Sequence, residues 1–182
     1  MEKVFSLSRG EILLWDNIEE LKGLIEKINF LFENFPETFR ETTELAQKVK
    51  KHILKIDPFI DVYAKKICPF CKNICCLNKN SRYEYDDLIY IMALREIFPL
   101  PYRALKEKEP CYLLTENGCM IPRYLRPLRC NWYFCKDLLK EMETAPARAF
   151  REFSNTFNEM LDVRQKMLDS FFRALTSLQS YV

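Results

Sequence analysis

Glycine and histidine are nearly missing from this chain. Its three glycines, Gly10, Gly23 and Gly118, stand far apart among 182 residues, so neither a phosphate-cradling loop nor a dinucleotide fingerprint is present. The single histidine, His52, lies among Lys48, Lys50, Lys51 and Lys55 in a helical stretch. A solvated or capping role is expected there, and it is the one candidate base for Cys–His nucleophilic catalysis. Long apolar runs are missing too, since no stretch reaches the ~18–20 uninterrupted apolar residues of a spanning helix. The opening residues Met1-Glu2-Lys3-Val4-Phe5 lack a basic start followed by an apolar run and a small-residue cleavage site. No membrane partner is expected, and the expected compartment is the reducing cytoplasm. Internal repeats and low-complexity tracts are absent as well.

What the chain does have is cysteine, collected in one place. All eight lie between residues 68 and 135. Cys68, Cys71, Cys75 and Cys76 form a C-x2-C-x3-C-C run, answered by Cys111, Cys119, Cys130 and Cys135. Cysteine density is well below that of small disulfide scaffolds, and in a reducing compartment clustered thiols are more often metal ligands or redox groups than bridges. The C-x2-C step lets two sulfurs reach one ion while freeing backbone amides to bond the sulfurs. The side chains of vicinal Cys75 and Cys76 are expected to diverge, so the pair is expected to serve two sites and the eight thiols to divide into two groups of four. A zinc ribbon has two C-x2-C halves and this chain has one. A compact loop giving three ligands and a distant residue giving the fourth is common for iron–sulfur clusters. An iron–sulfur cluster is therefore the preferred expectation and zinc the alternative.

Charge follows the cysteines. Residues 61–140 carry 14 Lys plus Arg against 9 Asp plus Glu, a balance of +5, while the whole chain stands at +2. A zinc with four thiolates carries net −2, as does an oxidised four-thiolate cubane, and two such centres bring the segment to about +1. Lys65, Lys66, Lys72, Arg123, Arg126 and Arg129 are the candidate counter-charges. A solvated surface explains any one of them equally well, and nucleic acid is not an expected partner.

The flanks read as helices, 11–57 and 145–180, around a cysteine-cluster segment spanning 61–140. Leu14, Ile18, Leu21, Ile25, Ile28, Phe32 and Phe35 fall on one helical stripe. Pro36 is placed to open a second helix carrying Phe39, Ala46, Val49, Ile53 and Ile56, with Asp57-Pro58 expected to end it. Pro146 opens a third, with Phe150, Phe153, Phe157, Leu161, Leu168, Phe171, Leu175 and Leu178 at helical spacing and Arg164 as an interruption. A further helix is expected over Tyr83–Ile97, where Asp86 and Asp87 favour the helix dipole. Tyr112-Leu113-Leu114 and Cys119-Met120-Ile121 read as a hairpin closed by Asn117-Gly118, with Cys111 and Cys119 at its strand ends. The expected fold is mainly α: a single domain over 1–182, a helical bundle of N- and C-terminal helices with a cysteine-rich metal-binding insert containing a short β-hairpin. The helical stripes also offer a face for a protein partner or for self-association.

Cys68-x2-Cys71-x3-Cys75-Cys76, then Cys111 through Gly118-Cys119, then Arg126-Pro127-x2-Cys130-x4-Cys135, resemble the zinc- or iron-chelating cysteine-cluster family, the CxxCxxCC domain. The likeness covers about residues 65–136. It implies metal chelation at these eight cysteines, in bacterial or archaeal cytosolic proteins, and it extends to the flagellin lysine-N-methylase group. The chain departs from the family pattern at Tyr112, Pro122 and Asn131, where the family commonly has Pro, Tyr and Arg. Three functions follow as expectations. The first is a metal-binding protein with an iron–sulfur cluster and/or zinc and a redox role, Trp132, Tyr133 and Phe134 shielding the centre or forming plain core. The second is a structural zinc-binding interaction protein, and the third a methyltransferase-like activity, for which no cofactor pocket is legible.

Overall fold

The computed structural model describes residues 18–101 and 105–179. The architecture is mainly α, with six helices and one two-stranded antiparallel hairpin among the described residues. Leu14 of the first stripe lies outside the described residues. Helix α1 (Ile18–Asn34) buries Leu21, Leu24, Ile28, Leu31 and Phe32 along one face and carries Glu19 and Glu20 in its first turn, where carboxylates complement the helix dipole. Pro36 does not begin the next helix. Residues 36–39 form a turn that seats Phe39 between Phe32 and Phe171, with ring centroids at 5.2 and 5.4 Å, and α2 (Arg40–Ile67) follows.

Asp57-Pro58 does not end α2 either. The helix runs ten residues past the expected stop, to Ile67, with Pro58 inside it. An interior proline costs about 3 kcal/mol, but the apolar stripe continues through Ile56, Ile60 and Tyr63. These pack on Leu138, Met142 and Phe153, and each such side chain contributes about 1.5–3 kcal/mol by burial. Packing outweighs the break. The C-terminal helix α6 (Ala147–Gln179) starts just after Pro146, as its stripe predicts. It runs antiparallel to α2: Glu41 pairs with Arg173, Thr42 shares a hydrogen bond with Ser170, and Phe59 stacks on Phe153.

Helix α3 (Tyr85–Ala93) is shorter than the expected 83–97 and is buried along most of its circumference. Leu94 caps it and Arg95 takes a left-handed φ of 59°. The amides of Arg95 and Glu96 donate back to the carbonyls of Met92 and Ile91, the arrangement that closes a helix C-terminus. Arg95 is fastened there by the carbonyl and ring of Phe32. Ile97 is left 89% exposed. Because α3 packs on α1, α2 and α6, the central helix of the 61–140 segment lies in the bundle core. The remaining elements are short. Strands β1 (Leu114–Thr115) and β2 (Gly118–Cys119) pair Leu114 with Cys119, and α4 (Arg129–Trp132) and α5 (Lys136–Met142) complete the chain order. In the hairpin the positive φ, 100°, falls on Gly118, and Asn117 has none.

Candidate metal centre

The eight cysteines come from four separate pieces of backbone at one end of the bundle. Cys68 follows the last residue of α2 and opens a 3-10 turn, Cys68–Phe70, whose Pro69 fits an initial helical position. The Cys71 amide donates to the Cys68 carbonyl at 3.2 Å, and the Cys71 thiol donates to the Asn73 carbonyl at 3.2 Å. Cys75 is fixed through its carbonyl, which accepts from the Leu77 amide and from Asn80 Nδ2, both at 2.9 Å.

At Cys76 the chain enters an extended crossing. The Cys111 amide donates to the Cys76 carbonyl at 2.9 Å, the Asn78 amide donates to Glu109, and Leu77 bridges Pro110 antiparallel. Buried Asn78 pins this crossing by accepting from the Tyr112 amide and donating to the Lys106 carbonyl. Cys111 in turn accepts from the Leu114 amide, and Leu114 faces Cys119 across the hairpin. Cys111 therefore reaches the hairpin through a tight turn and does not end a strand.

Cys130 and Cys135 are placed by buried arginine and by helix packing. Arg123, from the 3-10 turn Arg123–Leu125, donates Nε to Asp57 of α2 at 2.5 Å and Nη1 to the Cys130 carbonyl at 3.4 Å. Arg126 Nε donates to the Ile121 carbonyl. Cys135 is the N-cap of α5, which packs on α2 and so brings Cys135 back toward the Cys68 end.

Thiol electrostatics follow the same division. The Cys68 thiol is pushed above its ordinary value by burial, then by the charges that Cys75, Cys135 and Cys71 would carry, with Arg123 opposing. Cys75 is pulled down to about 6, chiefly by a hydrogen bond from Cys76 and also by one from Cys135. Cys76 is correspondingly pushed up, by its bond to Cys75, by burial, and by the fields of Cys75, Cys130 and Cys68. Cys130 is pushed up to about 12 by burial first and by Cys111 and Cys119 next, with Arg126 opposing. Cys68 thus senses Cys71, Cys75 and Cys135, Cys130 senses Cys111 and Cys119, and Cys76, bonded to Cys75, also senses Cys68 and Cys130.

All eight thiols are free of disulfides. Among the described residues, no group of three or more His, Cys, Asp or Glu side chains stands ready to hold a metal ion. The donor chemistry nevertheless suits a thiophilic centre. The nearby carboxylate of Asp57 is engaged by Arg123, and His52 is placed away on α2 facing Glu159 at 3.8 Å. The sulfurs are gathered without being drawn into a ligand shell.

The expected counter-charges have separate fates. Lys65 pairs with Asp61 and Lys66 with Glu141, whereas Arg123 and Arg126 act on the thiols. Trp132 and Tyr133 are 49% and 42% exposed, while Phe134 packs edge-on against Phe153 at the edge of the core. Four residues that sequence reasoning passed over or assigned otherwise hold the cysteine-bearing segments to their neighbours by hydrogen bonds or anchor the residues that do: Asp57, Asn78, Asp87 and Arg164. The last two form a buried ion pair at 2.8 Å, so Arg164 is part of the packed stripe of α6 and no interruption of it. The spacing of Glu84 and Asp87 was the available signal, since it is that of a capping box, and both bonds of that box are present. Comparison with family models, with curated proteins and with solved structures finds no match. Among the described residues no helix is long and apolar enough to cross a membrane.

Proposed function

We propose that this chain is a metal-binding protein that coordinates an iron–sulfur cluster and/or zinc through two sets of four cysteines. One set is Cys68, Cys71, Cys75 and Cys135, and the other is Cys76, Cys111, Cys119 and Cys130. What supports the reading is that eight free thiols come from four short backbone segments and sense one another's charge: Cys68 with Cys71, Cys75 and Cys135, Cys130 with Cys111 and Cys119, and Cys76 with Cys75, Cys68 and Cys130. Burial alone does not explain it. Inert cysteines behave as small apolar side chains dispersed in a core, whereas seven of these eight are exposed or half-buried. The resemblance to the CxxCxxCC family supports the same assignment.

A bound centre supplies either electron transfer, if it is an iron–sulfur cluster, or cross-linking of the segment, if it is zinc. The protein's own residues hold the thiols in place, and Arg123 and Arg126 offset thiolate charge. A structural zinc is the second reading. It is favoured by the brevity of the elements bearing cysteines, which are a two-residue strand, a three-residue turn and a four-residue α4. Elements this short do not stand alone, and metal-ligand bonds stabilise such segments directly. A cytoplasmic setting belongs to both readings.

Replacing Cys71 or Cys119 with serine tests the division. Each variant, purified anaerobically, is expected to lose the centre of its own set and keep the other. Unchanged metal content in both variants would remove these positions from the ligand list.

A further inference from the structure

Cys130 sits on α4, a helix of four residues. One turn of helix has no stability of its own, so its place must be fixed from outside. Within the segment, the Cys130 amide donates to Pro127 and the Asn131 amide to Leu128. Two bonds tie it to the bundle: Arg123, held by Asp57, donates to the Cys130 carbonyl at 3.4 Å, and the Leu128 amide donates to Asp87 Oδ1 at the closer distance of 3.1 Å. Asp87 is itself immobilised. Its Oδ2 accepts from the Glu84 amide at 3.0 Å, and its Oδ1 also accepts from Arg164 Nη2 at 2.8 Å. Arg164 Nη1 reaches the Asp86 carbonyl, and the Asp87 and Arg164 side chains are each 5% exposed. Desolvating a carboxylate and a guanidinium is costly, and an apolar pair of similar volume often serves stability as well. The geometry gives this pair another use: it presents a fixed acceptor to the backbone two residues before Cys130.

We propose that Asp87 is a positioning residue for the second thiol set, holding Cys130 in register with Cys76, Cys111 and Cys119 through the Leu128 amide. Arg164 orients the carboxylate from α6. The inference rests on the two-set reading and extends it from the sulfurs to the helical core. Residues that orient metal ligands without touching the metal typically contribute 10–100-fold to affinity. Asp87 is expected to do so for one set only, because the first set hangs from the end of α2 and the start of α5, to which Asp87 makes no bond.

The test is anaerobic titration with cadmium, followed by 113Cd resonance spectra of wild type and Asp87→Asn. Wild type is expected to give resonances from two thiolate environments. The variant should keep one unchanged while the other shifts or is lost, with cadmium affinity at that site lowered 10–100-fold and helix content retained. If Asp87→Asn does not fold, Leu128→Pro provides the reading. Leu128 has φ −50°, which proline adopts, so the variant removes the amide donor and leaves the Asp87–Arg164 pair in place. Two wild-type-like sites in a folded variant, or equal weakening of both, would overturn the proposal and leave the two-set reading standing. Wild type that takes up no cadmium would overturn both.

Discussion

Arg164 and Asp87 meet at 2.8 Å with each side chain 5% exposed, so removing either charge strands the other. Arg164→Met is expected to lower unfolding free energy by about 3–5 kcal/mol, measured by denaturant titration, and a loss below 1 kcal/mol would contradict the pairing. The same pair sets a pH dependence. Burial raises the Asp87 pKa above its ordinary 3.8, against the pull of Arg164 and the amides of Glu84 and Leu128. The folded state therefore binds this proton more tightly than the unfolded chain, and the contribution of Asp87 to stability falls as pH rises from the ordinary carboxylate value through the raised one. Glu84 is raised as well, by burial and by Asp87 and Asp86, and adds the same sign. Stability measured across that window is expected to fall more steeply in wild type than in Asp87→Asn; a parallel pair of profiles would count against it. None of this was legible from the aspartates alone, because a carboxylate near a helix start has an exposed, dipole-favouring role by default. Only the partner from α6, 77 residues away, changes that role, and tertiary contacts of that range leave no local mark in sequence.

At the scale of the element, apolar periodicity located α1, α2, α3 and α6, because a stripe at helical spacing must face a core. It located their ends less well, since proline and glycine signal local cost and say nothing of what packing offsets it. Pro58 reads as a stop and lies within α2 because Ile60 and Tyr63 beyond it are buried. Pro58→Ala restores an amide able to donate to the Leu54 carbonyl and is expected to raise stability by about 2 kcal/mol, read as a higher denaturation midpoint. An unchanged or lower midpoint would show that the proline is accommodated without strain. Arg95 ends α3 in a left-handed conformation, unforeseen because glycine is the usual residue there. The hairpin was visible in Asn117-Gly118, but the glycine alone carries the positive φ.

For the whole molecule, the cysteine spacing was enough to expect all eight thiols in one stretch of the chain, and the expectation that Cys75 and Cys76 point apart meets a structure in which their two thiols share a hydrogen bond. The spacing was not enough to say which later cysteine joins which group. That depends on α5 returning to α2 and on the 76–79 segment crossing 107–111, both non-local pairings. The bundle of α1, α2, α3 and α6 has its own continuous core, whereas the thiol-bearing end consists of short elements joined by side-chain pins at Asn78, Arg123 and Asp87. The two parts are coupled through Asp57 and Asp87, so metal uptake at one end should be felt as order in the other. The central claim is that the eight thiols hold two centres, and native mass spectrometry of anaerobically purified protein, with elemental analysis and a visible spectrum of the same sample, tests it most directly. Two metal centres per chain are predicted, with iron, sulfide and thiolate-to-iron charge transfer for clusters or colourless zinc for structural sites. A folded chain carrying no metal, with all eight thiols open to alkylation, would contradict it.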